Sequence, residues 1–71
     1  MTEEMLKMLK ESKGEILIKA GGQVLLKVAG EEHLIEQIQI QREKEAYIFA
    51  EGLQLALGHF INYRPEIRMD A

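Results

Sequence analysis

Apolar and polar positions divide the chain into stretches of different period. Residues 2–13 carry Met5, Leu6, Met8 and Leu9 at helical spacing. Thr2 stands where an N-cap belongs, Glu3 and Glu4 fall in the first turn, Lys10 and Lys13 in the last, and Gly14 at the stop. The next stretch shifts to a period of two. Glu15-Ile-Leu-Ile-Lys-Ala20 and Gln23-Val-Leu-Leu-Lys-Val28 flank Gly21-Gly22, a hairpin signal. A two-residue Gly21-Gly22 turn would set Ile18 against Leu25 and Ile16 against Lys27, mixing an apolar face with a charge. A three-residue loop, Ala20-Gly21-Gly22, instead pairs Ile18 with Val24 and Ile16 with Leu26 on one face, and Glu15 with Lys27 and Leu17 with Leu25 on the other. The second register keeps one face apolar, adds a cross-strand ion pair and gives Gly22 the left-handed position.

Beyond Gly30-Glu31-Glu32 the alternation Ile38-Gln39-Ile40-Gln41 predicts a third strand over 34–41, with Ile38 and Ile40 facing Leu26 and Val24. Leu34, Ile35 and Ile38 also fit one helical face, so the helix reading stays beside the strand. From Glu43 to Tyr63 the pattern is helical, and Pro65 closes it. Between Ala46 and Tyr63, 12 of 18 residues are apolar. Glu51, Gln54, Gly58 and Asn62 form one narrow polar stripe, so most of the circumference calls for burial. Phe49, Leu53, Ala56 and Phe60 are expected to face the sheet. Tyr47, Ile48, Leu55 and Ile61 are then left for an oligomer interface. Residues 65–71 hold too little apolar content to fold alone and read as a frayed tail or an arm reaching a neighbour's sheet edge.

The expected fold is therefore α+β: an N-terminal helix, a three-stranded antiparallel β-meander and a long C-terminal helix packed on the sheet. It forms a single small domain over 1–64 with a tail over 65–71. In element order, size and acidity it looks like small inhibitors encoded by phages and mobile elements, some anti-CRISPR proteins among them. That is a resemblance of architecture, which implies action by binding.

Composition narrows the chemistry. The 71 residues include no Cys and no Trp, a single Ser (Ser12), Thr (Thr2) and Asp (Asp70), and two His (His33, His59). Without a thiol there is no disulfide, redox couple or Cys-type zinc site. A chain this short buries only roughly 60–65% of its unfolded surface, which favours association. Twelve acidic against nine basic residues give a net charge of −3, the wrong sign for gripping a phosphate backbone. The Met1-Thr2-Glu3-Glu4 start lacks the form of a secretion signal and no stretch reaches membrane-spanning length, so the reading is cytoplasmic, with no membrane and no nucleic acid as partner.

His33, in Glu31-Glu32-His33-x-x-Glu36, has no second His at ligand spacing, and His59 has no Ser or Cys partner. Neither metal nor cofactor nor enzymatic activity is expected. Gly21-Gly22 lacks the spacing of a phosphate-binding loop and turns a hairpin. The second sheet face is the sharper candidate. It carries Leu17, Leu25 and Ile35, rimmed by Lys19, Lys27, Gln23, Gln37, Gln39 and Gln41, an apolar centre with a partly basic rim suited to a protein partner. The expected function is a non-catalytic binding or regulatory module, acting through surface contacts as a homo-oligomer. The alternative is a small-ligand-binding or sequestering protein, with Tyr47, Tyr63 or Arg64 meeting an anionic ligand at a subunit interface.

Overall fold

The computed structural model describes residues 3–70; Thr2, the expected N-cap, lies outside them, as do the side chains of Met5, Ile40 and Asp70. The elements run α1 (Glu3–Ser12), β1 (Glu15–Lys19), β2 (Gln23–Val28), β3 (Glu31–Gln37), a 3₁₀ turn (Ile40–Arg42), α2 (Lys44–Ile61) and β4 (Glu66–Asp70). The four strands form one mixed sheet in the order β3-β2-β1-β4.

The β1–β2 hairpin has the register that keeps one face apolar: Glu15 opposite Lys27, Ile16 opposite Leu26, Leu17 opposite Leu25 and Ile18 opposite Val24. Its three-residue loop turns on Gly21 and Gly22, at φ of 85° and 81°, a backbone glycine adopts without steric cost. A side chain at Gly22 would also press on the Ile38 carbonyl, 2.8 Å from its Cβ position. Ile38 N–H donates to Gly22 O at 2.8 Å, so the chain leaving β3 is tied to this loop.

The sheet is not a three-stranded meander. The tail forms a fourth strand, β4, parallel to β1, with Ile16 beside Ile67 and Ile18 beside Met69. Glu66-Ile-Arg-Met-Asp70 alternates strictly, and that periodicity outweighs low apolar content once a partner strand supplies the hydrogen bonds. Gln54 Nε2 donates to Pro65 O at 2.8 Å and pins the start of β4 to α2. The third strand also differs, running Glu31–Gln37 rather than 34–41. A two-residue turn at Ala29 and Gly30, φ 52° and 82°, matches the right-handed twist of the strands and starts pairing at once. The register puts His33, not Ile38, opposite Leu26, and shifts at a bulge between Val24 and Leu25. Ile38 packs on the core from the loop.

Both helices lie on the face made by Ile16, Ile18, Val24 and Leu26. Leu9 of α1 joins these residues, Val28, and Ala46, Ala50, Leu57 and Ile61 of α2 in one core. Ala46 and Ala50 are fully buried, so the small residues of α2 bring its backbone close to the sheet. The sheet-facing stripe is turned from the expected one. Phe49 and Leu53 pack on the core as expected, but Leu57 and Ile61 replace Ala56 and Phe60, both of which are exposed. At about 100° per residue the two stripes are neighbours, and the alanines decide between them by allowing the closer approach. Ile61, expected at an interface, is only 8% exposed and belongs to the core. α1 ends in a left-handed Lys13, φ 52°, whose N–H donates to Leu9 O at 2.9 Å. Gly14 serves a different purpose, since a side chain there would collide with the Lys27 carbonyl and the Leu9 side chain.

Candidate contact surfaces

The helix-free face of the sheet carries three rows across its strands. Leu34, Leu25, Leu17 and Arg68 form the middle row, with Glu32, Lys27, Glu15 and Glu66 on one side and Gln37, Gln23 and Lys19 on the other. Leu34 takes the place expected for Ile35, which packs on the core instead. The bulge next to Val24 accounts for the exchange, because one extra residue reverses the alternation. The rim is not basic. Lys19 Nζ lies 2.8 Å from Glu32 Oε1, and Arg68 Nη1 lies 3.6 Å from Glu15 Oε1. The diagonal from Lys19 on β1 to Glu32 on β3 crosses β2 at the level of Leu25. The Lys19 hydrogen bond, aided by the charges of Lys19 and Lys27, holds the Glu32 carboxyl below the usual carboxylate range. Leu17 is only 3% exposed although no helix covers it. Gln37 turns to the hairpin loop, its Nε2 donating to Gly21 O at 2.8 Å, and Gln39 lies beyond the sheet at the head of the 3₁₀ turn.

The outward face of α2 is built differently. Ile48 is 68% exposed, Leu55 54% and Phe60 77%. Ile48 and Leu55, seven residues apart, share one line along the helix, whereas Phe60 lies about 120–140° round from that line, beyond Ala56. Tyr47, 48% exposed, is about 100° round from Ile48, so the four expected interface residues are not one patch. Gly52 sits between Ile48 and Leu55, and a Cβ built on it meets nothing within 4 Å. At its C-terminal end α2 borders an open cleft of about 550 Å³ lined by Leu55, Gly58, His59, Asn62, Tyr63 and Arg64. Arg64 lies so close to Gly58 that a Cβ there would come within 2.7 Å of its Cγ.

The chain matches no protein-family model, no curated protein and no solved structure.

Among the described residues no group of three or more His, Asp or Glu is placed to hold a metal ion, and no helix is long and apolar enough to cross a membrane. His33 Nε2 approaches Glu31 Oε2 at 3.6 Å on the β3 edge, and His59 meets the Phe60 ring edge-on with centroids 6.3 Å apart. Phe60, with Ala56, is a surface residue that periodicity places in the core. Its signal was available in Ala46 and Ala50, which mark the side of a helix that approaches most closely.

Proposed function

We propose that this protein is a cytoplasmic, non-catalytic binding or regulatory module whose contact surface is the outward face of α2. The observation that supports this reading is the exposure of Ile48 and Leu55 on one line of a helix already anchored to its own core through its opposite side. Leaving that much apolar area in water is costly at about 25 cal/mol per Å², and contiguous exposed apolar surface marks sites of association. A photo-crosslinking residue placed at Leu55 should give polypeptide adducts in cell extract, while the same residue at Glu11 on exposed α1 should not. Equal yields at the two positions would refute the assignment.

A second reading rests on the cleft beside Arg64. Its guanidinium stem is seated over Gly58 and faces His59, Asn62 and Tyr63, a composition suited to a small anionic ligand. A ligand from a nucleotide and metabolite panel should then raise the melting temperature of the wild type and not of Arg64→Ala.

A further inference from the structure

We infer that the occupant of the α2 outward face is a second copy of this chain, packed antiparallel about a two-fold axis at Gly52. The inference rests on the reading of that face as the contact surface and adds the identity and orientation of what covers it.

Three observations point to a second copy. The first is self-complementarity in position. Gly52 is the midpoint between Glu45 and His59, seven residues to either side, and between Ile48 and Ala56, four to either side. A two-fold axis perpendicular to two antiparallel helices returns each residue at the mirrored height and on the same flank. Ile48 of one copy then lies beside Leu55 of the other, and Leu55 beside Ile48. On the opposite flank Ala56 meets Phe49, a small residue against a large one. Self-complementarity of this kind is what an isologous dimer requires.

The second observation is a match of hydrogen-bond donor and acceptor. The same operation sets Glu45 against His59 of the other copy at both ends of the contact. Glu45 already accepts from Arg42 Nη2 at 2.7 Å, and a carboxylate has room for a further donor such as an imidazole N–H. A parallel pairing would stack Glu45 on Glu45 and lose this match. Antiparallel helices also oppose their dipoles favourably.

The third is Gly52 itself. Glycine in a helix interior is unfavourable, and within the chain nothing crowds this position. An approaching helix supplies the missing reason, because a bare backbone at the axis lets the Ile48 and Leu55 ridges of both copies close around it. The 18 residues of α2 extend about 27 Å, enough to hold every pair named.

The chain has no cysteine, so engineered thiols give a clean test on the full 71 residues. Sedimentation of the wild type should give twice the 8.1 kDa chain mass. Gly52→Glu should return it to 8.1 kDa with an unchanged circular dichroism spectrum, because a Cβ at this exposed position meets nothing within 4 Å in its own chain. Gly52→Cys should oxidise to a dimer, since a disulfide needs Cα atoms about 4.4–6.8 Å apart and the axis brings them that close. Ile48→Cys mixed with Leu55→Cys should form the mixed disulfide in preference to either symmetric one. A wild type that stays at the monomer mass up to millimolar concentration overturns the inference, as does Ile48→Cys joining mainly to itself. If the chain is monomeric but Leu55 still crosslinks to another protein, the α2 contact surface stands and the second copy is wrong; if neither occurs, both fall.

Discussion

The helix-free sheet face and the outward face of α2 both present apolar side chains without a covering element, yet the sheet closes over its own and the helix does not. On the sheet, Leu17 lies in a central strand between Leu25 and Arg68, with strands about 4.8 Å apart. Long side chains on every neighbour can lie across it. Lys19 reaches Glu32 over Leu25, and Glu15 draws in Arg68. On α2 the neighbours of an exposed residue are those three and four positions away. For Leu55 these are Glu51, Gly52, Gly58 and His59, and for Ile48 they include Gly52. Gly52 and Gly58 cover nothing, so half of the positions round Leu55 and one of those round Ile48 are bare, and the helix leaves these apolar residues to be covered from outside. A solvent-facing element can thus be apolar and finished, or apolar and waiting for a partner, and the size of its immediate neighbours separates the two.

The largest effect that could break this comparison comes from one substitution made on both faces. Leu17→Ala should cost about 2–3 kcal/mol in urea unfolding, because it empties a site that is 3% exposed. Leu55→Ala should stay within about 0.5 kcal/mol at concentrations where the chain is monomeric, since the residue is 54% exposed. The same Leu55 variant should weaken self-association, and Leu17→Ala should affect it only through unfolding. Equal costs at the two positions would mean that α2 is covered within the chain, or that the sheet face is open.

How much of this was legible in the sequence follows from the same contrast. The hairpin register could be read because Ile16, Ile18, Val24, Leu26 and the Glu15–Lys27 pair agree on one solution, and a slip by one residue would expose all four apolar side chains. β4 is hidden from periodicity although Glu66-Ile-Arg-Met-Asp70 alternates strictly, because its stability comes from pairing with β1, 51 residues away (Glu15 with Glu66). The β3 register escaped because a bulge leaves no mark in apolar periodicity. In α2, periodicity limited the core stripe to two neighbouring solutions, and the close approach at Ala46 and Ala50 chose between them. The exposed Ile48 and Leu55 were legible as residues with more apolar surface than one sheet could take. The loss of Ile61 to the core, and the ion pairs that cancel the supposed basic rim, depend on long-range geometry.

The two glycines of α2 offer a finer separation. Gly52→Ala should stabilise the monomer by about 0.8–1 kcal/mol, the helix propensity difference, because its new methyl group meets nothing in the chain. Gly58→Ala should gain less or lose stability, because Arg64 must first move from a position 2.7 Å from the new Cβ. If the α2 faces pair at Gly52, the first variant melts higher when dilute and dissociates more readily when concentrated. Thermal melts over a range of concentration measure both. A Gly52→Ala protein that gains at every concentration would show that no close contact forms at that residue.

The smallest expected effect tests whether the sheet face is satisfied by its own charges. Lys19 and Lys27 hold the Glu32 carboxyl below its ordinary range, with the Lys19 hydrogen bond as the main cause. A carboxyl whose folded-state pKa is depressed adds stability above its unfolded pKa and loses it as the pH falls through the folded value. The wild type should therefore lose slightly more stability than Glu32→Gln between neutral and acid pH, by a modest amount because the pair is solvent-screened. In an NMR titration, Lys19→Met should raise the Glu32 pKa toward that of a free carboxylate, and Lys27→Met should raise it less, because Lys27 acts by charge alone. If Glu32 titrates identically in Lys19→Met and in the wild type, the diagonal bridge does not persist in solution. Leu25 would then lose the bridge that crosses it, and the sheet face would regain its claim as a contact surface.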